Sequence, residues 1–203
     1  MKAINTVLMV IGVIGIIILL AIFMGFILFS LDPPIKSQLT PTPVSADAVK
    51  SFDQKVAAFK QKAEAVIAAK EKKEVVLSLT ASEINSKVIE LLAQGDLPMK
   101  EMSINLSNDL FKVYAVFNNP GINAKTGLIA QLMVNKGNIK IVVVDFQLGR
   151  LPLPQSVVKN VGSILDIIFR MEGFEEELSL DITSATVSDD SLIIKGMTKP
   201  ATK

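Results

Sequence analysis

The spacing of apolar and polar positions divides the chain into stretches of different period. From Ala3 to Leu31 no charged residue occurs, and only Asn5, Thr6 and Ser30, near the ends, interrupt the apolar run. Roughly thirty such residues exceed the roughly twenty that a helix needs to cross a bilayer, so residues 1–31 are predicted to span a membrane. Ala21 and Gly25 form a small-x-x-x-small pair, and Gly12 and Gly15 add further small positions. Such pairs bring helices together but are common in membrane helices, and a single lipid-embedded anchor is the simpler reading. Between Asp32 and Ser45, Pro33, Pro34, Pro41 and Pro43 stand among polar residues. That composition excludes a helix and predicts an extended spacer of polyproline character over 32–45. Residues 46–73 then show Val49, Phe52, Val56, Phe59, Ala63 and Val66, alternating three and four apart. This narrow seam predicts a Lys-rich amphipathic helix that packs against one partner, either its own domain or a coiled-coil mate.

From Glu74 the period changes. Val75, Leu77 and Leu79 alternate as in a short strand, and Thr80-Ala-Ser-Glu83 has the spacing of a capping box. The helix it opens buries Ile84, Val88, Leu91 and Leu92 and stops at Gly95. Met99–Ser107 and Leu110–Phe117 follow as strands around Asn108-Asp109; a longer loop is expected from Asn118 to Thr126. Gly127–Val134 and Ile139–Leu148 form a hairpin around Asn135–Asn138, and Leu178–Val187 and Leu192–Met197 form a last one. The predicted class is α+β: an N-terminal transmembrane helix, then a curved antiparallel sheet packed with two or three helices, with the globular domain over 74–203.

The strand from Ile139 leads through the corner Gly149-Arg-Leu-Pro-Leu-Pro154 into a helix reaching about Met171. Ile141 to Val144 are apolar without alternation, as in a central strand with both faces covered. The helix gathers Val157, Val158, Val161, Ile164, Leu165, Ile168 and Phe169 on one wide face. Such a face either fills a core or lines a groove; with Val142, Val144 and Phe146 of the strand, Val157, Val161, Ile164, Leu165 and Ile168 are the groove candidates. Arg150 and Arg170, the chain's two arginines, bracket the helix. A guanidinium can grip a phosphate headgroup. A helix's last turn accounts for Arg170 and an exposed corner for Arg150, and that reading is favoured for each; at roughly 25 Å or more apart they cannot act jointly.

Composition narrows the chemistry. The absence of histidine and cysteine excludes Ser-His-Asp and Cys-His nucleophiles, imidazole or thiolate metal sites and lipoprotein processing. No phosphate-cradling glycine loop is present, and the acids at Glu175–Glu177 and Asp189-Asp190 read as solvated. No enzyme, cofactor or metal site is expected. With 21 basic against 20 acidic residues there is no field to attract nucleic acid. The lysines at 50, 55, 60, 62, 70, 72 and 73 outnumber the acids around them, so contact with anionic headgroups is a second use for that helix, ranked below a solvated face.

Three stretches carry a resemblance: Leu79-Thr-Ala-Ser-Glu-Ile-Asn85, Phe146-Gln-Leu-Gly-Arg-Leu-Pro-Leu-Pro154 and Ile182–Gly196. In content and order they resemble the YpmS-like proteins of bacteria. More loosely, they are similar to the mycobacterial mannan-elongation phospholipid-binding proteins of tubular lipid-binding type. The resemblance covers about Glu74 to Met197 and implies a single-pass, membrane-anchored extracytoplasmic domain; it supplies no catalytic residue. The apolar core of the first helix is too long for a cleaved signal peptide, so a signal anchor with a cytoplasmic N-terminus is expected. The functional expectation is a domain that binds a phospholipid or other apolar ligand between the central helix and the curved sheet. A non-enzymatic cell-envelope scaffold, whose long helix with its Val49–Val66 seam and spanning segment contact protein partners while the domain is solidly packed, is the alternative.

Overall fold

In a computed structural model of the chain, the described residues are 2–97, 99–119, 122–158, 180–188 and 190–199. Helix α1, Lys2–Ser30, leads into a short 3-10 turn, Pro34–Gln38, and then α2, Ala46–Ala68. Strand β1, Glu74–Thr80, and helix α3, Ala81–Gln94, precede four strands: β2 (Met99–Ser107), β3 (Leu110–Asn119), β4 (Ile122–Asn135) and β5 (Asn138–Leu148). Strands β6, Leu180–Ser188, and β7, Ser191–Thr198, close the order. The class is α+β. In place of the single curved sheet expected, two antiparallel sheets form, β1-β7-β6 and β2-β3-β4-β5, neither of them closed.

Local chemistry accounts for the turns. Asn108 and Asp109 take φ +52° and +60°, and Lys136 and Gly137 take +53° and +82°. Two successive left-handed residues give the turn whose twist suits a two-residue hairpin. Pairing of Asn119 with Ile122 leaves only residues 120 and 121 between β3 and β4, so the stretch expected as a loop to Thr126 is strand. Alternation had been lost there because Asn123, Lys125 and Thr126 are polar on both faces.

Helix α2 lies on the three-stranded sheet. Phe59 and Ala63 are buried against Val75, Leu77, Leu79, Leu180, Ile182 and Ile194, with Phe52 and Val56 beside them. The predicted seam is thus met by the protein's own β1 and α3. The helix ends five residues earlier than the period suggested. Ala69 and Lys70 donate to the Ala65 and Ile67 carbonyls, Lys70 turns left-handed at φ +55°, and the Lys73 amide is taken by Thr198 Oγ1 at 3.1 Å.

Helix α3 begins with the predicted box: the Glu83 amide donates to Thr80 Oγ1 at 3.2 Å, and the Thr80 amide donates to Glu83 Oε2 at 2.8 Å. It ends at Gly95, φ +81°. Between these ends Asn85 is buried and fastens the helix to the outer strand β2. Its Nδ2 donates to the Ile104 carbonyl at 2.6 Å, and its Oδ1 accepts from the Ile104 amide at 2.8 Å. An edge strand's unpaired backbone is thereby covered by a side chain. The β6–β7 turn ties the two sheets, with the Asp190 amide on the Leu106 carbonyl at 3.3 Å and its carbonyl on the Ala81 amide at 2.9 Å.

Candidate functional site at the membrane junction

The last four carbonyls of a helix lack partners within it. At the end of α1 one of them is met from far along the chain. The Arg150 amide donates to the Leu28 carbonyl at 2.7 Å, and Arg150 Nε to the Asp32 carbonyl at 3.2 Å. Gly149, φ +55°, donates to the Lys125 carbonyl at 2.8 Å. A Cβ at Gly149 would run into the carbonyl oxygens of both Leu28 and Phe29. Backbone meets backbone here, so only glycine fits.

The segment expected to be a spacer is instead seated on the four-stranded sheet. Pro34 opens the 3-10 turn, where a preset φ and a missing amide cost nothing. Ile35 is 0% exposed and lies over Gly127, whose absent side chain leaves the room that Ile35 fills. The Ile35 amide donates to Gln147 Oε1 at 3.0 Å, and Gln147 Nε2 donates to Asp145 Oδ2 at 2.7 Å. Tyr114, Gly127 and Gln147 stand directly opposite one another across β3, β4 and β5, so the floor of this seat is one row of the sheet.

Charge gathers around one acid. Asp32, the first charged residue after the apolar run, pairs with Lys125 at 3.0 Å and Lys36 at 3.3 Å. Tyr114, the only tyrosine, donates its hydroxyl to Asp32 Oδ1 at 3.2 Å and accepts from Lys36 Nζ at 3.2 Å. The same ammonium lies 4.6 Å from the ring centroid. Burial pushes the Tyr114 hydroxyl above its usual range, against the Lys36 ammonium, so it remains a donor. Among the described residues, Lys36 and Lys125 thus share the Asp32 carboxylate, while Arg150 reaches the Asp32 carbonyl.

The apolar candidates are dispersed. A bulge falls between Ile129 and Ala130 of β4, opposite Asp145, Val144 and Val143. Register then places Phe146 opposite Leu128 on one face and Val142 opposite Gln131 on the other, while Val144 is the extra residue and is 50% exposed. Strand β5 is the outer strand of its sheet, so the unbroken apolar run reflects the bulge and not a central position. Residues 155–158 are helical; Val157 is exposed and Val158 buried. Val161, Ile164, Leu165, Ile168 and Arg170 lie outside the described residues.

Sequence reasoning singled out Arg150 alone from the junction. Asp32, Lys36, Tyr114, Lys125, Gly127, Gln147 and Gly149 were missed as a group, although a lone tyrosine and a Gly-Arg corner were visible signals. No protein-family model matches this chain, and no curated protein matches it either.

Proposed function

We propose that this protein is a single-pass, membrane-anchored extracytoplasmic domain that receives a phospholipid or other apolar ligand beside its four-stranded sheet. The observation that carries the reading is the junction. Helix α1 is long and apolar enough to cross a membrane, and its side chains from Ile16 through Phe26 are exposed. The corner between β5 and the following helix is hydrogen-bonded directly onto its end. A groove beside that corner would open at the bilayer surface, where an acyl chain could pass into it without crossing water. The three motifs that resemble YpmS-like proteins point the same way. Against the scaffolding alternative, Phe52, Val56, Phe59 and Ala63 of the α2 seam pack within the domain.

The test uses the full chain, because Pro33 and Ile35 are part of the folded domain and a fragment beginning after them lacks its seat. Extracted with mild detergent and measured by native mass spectrometry, the protein is expected to retain a stoichiometric lipid. Val157→Trp is expected to expel that lipid. Uniformly lipid-free protein that also takes up no added phospholipid would refute the reading. Protease protection in intact cells checks the side of the membrane on which the domain lies.

A further inference from the structure

We infer that Lys125, Lys36 and Arg150 form a seat for the phosphate of a lipid lying beside α1, with preference for anionic headgroups. The inference rests on the membrane anchoring proposed above and is independent of the apolar groove.

Two features of the junction carry it. The first is depth. The Leu28 carbonyl that receives the Arg150 amide belongs to the last turn of the apolar helix, and Asp32 follows directly, so the cluster stands where hydrocarbon gives way to headgroups. The second is imbalance. Lys125 and Lys36 both reach the Asp32 carboxylate, and Arg150 Nε reaches its carbonyl, which carries no formal charge. Among the described residues, Asp32 is the one acid paired with these three cations. Asp145 accepts from Gln147 Nε2 and Glu101 acts on Tyr114 through its charge alone; neither pairs with the three cations among the described residues.

The cations are also fixed in place. Lys36 is held by the Tyr114 hydroxyl and ring, and Arg150 by both its amide and its Nε. Among the described residues Nε is the one guanidinium nitrogen of Arg150 with a partner, and the terminal N–H groups can serve a further acceptor. A phosphate diester offers two unesterified oxygens for such donors, and arginine suits them better than a point charge. Held cations at the headgroup level lose little entropy on binding, and each basic residue near an anionic surface is worth roughly a fivefold change in affinity. Sequence counting does not reveal the cluster, because Lys125 and Arg150 lie far from the apolar run along the chain.

The test compares the full chain with K125Q/R150Q and with D32N in nanodiscs of phosphatidylcholine alone and with about one-third phosphatidylglycerol. R150Q leaves the backbone cap of α1 in place, and D32N keeps an oxygen for Tyr114 while removing the opposing charge. Lipid retained after detergent stripping is identified by native mass spectrometry. The parent chain is expected to enrich phosphatidylglycerol over phosphatidylcholine. K125Q/R150Q is expected to lower that enrichment by about tenfold or more with the melting transition of the domain unchanged, and D32N to raise it. A purely structural cluster would give D32N the opposite sign, so equal or reduced enrichment in D32N overturns the inference. Equal enrichment by parent and double variant also overturns it. Binding of inorganic phosphate to the stripped protein, without phosphatidylglycerol enrichment in nanodiscs, would assign the cations to a soluble anion and equally overturns the lipid reading.

Discussion

Gly149→Ala is the substitution that most directly tests whether the corner fixes the apolar helix α1 against the sheet. At φ +55° an L-residue costs about 1–2 kcal/mol relative to glycine. The new methyl group would also meet the Leu28 and Phe29 carbonyls, which are backbone and cannot rotate away. Relief requires the corner to move off the helix end, breaking the bond from the Arg150 amide and leaving a carbonyl unpartnered, for about 1–3 kcal/mol more. The total, about 2–5 kcal/mol, is a large part of a typical margin of about 5–15 kcal/mol. Gly95→Ala supplies the control: Gly95 is also left-handed, at φ +81°, but nothing lies within 4 Å of an added Cβ. It is expected to cost only the backbone part, about 1 kcal/mol.

Two measurements read the result. The chain has no cysteine, so Leu20→Cys and Lys140→Cys accept spin labels at those sites alone. In nanodiscs the parent is expected to give one narrow distance distribution and Gly149→Ala a broad one, with Gly95→Ala remaining narrow. Circular dichroism melts of the same samples report stability. If the two alanines lower the transition equally and the distribution stays narrow, the corner does not hold the helix and the proposed geometry at the bilayer is wrong. A broad distribution in the parent chain would refute it as well.

Other substitutions test the packing. Asn85→Ala leaves the Ile104 amide and carbonyl without their side-chain partners and is expected to cost about 2–3 kcal/mol in urea unfolding; a loss under 0.5 kcal/mol would show that water replaces the asparagine. Phe59→Ala, in the α2 seam, is expected to cost about 3–5 kcal/mol, whereas a seam reserved for a protein partner would make it nearly neutral. Burial pushes the Glu83 carboxyl up, but the Lys55 ammonium, the Ser51 hydroxyl and the Thr80 amide together outweigh it and leave it below the usual range. A depressed folded pKa contributes stability above the unfolded value near 4.3, lost as pH falls through the folded value. Glu83→Gln should therefore flatten the fall of the urea midpoint between about pH 5 and pH 3; a midpoint that falls as steeply in the variant would mean that Glu83 contributes nothing to the acid limb.

Local pattern carried most of the elements. The capping box at Thr80, the stop at Gly95, the strand from Met99 to Ser107 and the turn at Asn108-Asp109 each depend on residues a few positions apart, and all stand where the sequence places them. What escaped was decided by partners far along the chain. Alternation predicts Val142, Val144 and Phe146 on one face, but one extra residue in β5 separates them, and a bulge is invisible to a two-residue period. The division into two sheets was equally hidden, because strand spacing says nothing about which edge pairs with which.

The junction shows why a proline-rich stretch after an apolar helix can be misread. Composition alone describes Asp32 to Ser45 as polar, stiff and extended, and nothing nearby in sequence contradicts that. The residues that convert it into a packed element lie 112 positions away for the bond between Ile35 and Gln147, and 118 for that between Arg150 and Asp32. Gly127 and Gly149 are the complementary half: each looks like a weak point in a strand or corner, and each is the space another segment occupies. A free linker would let the domain tumble beside the membrane, exposing any groove equally to water and lipid. A seated one holds the same edge of the sheet against the end of α1, so the Asp-Pro-Pro-Ile segment works as a positioning element between the apolar helix and the domain.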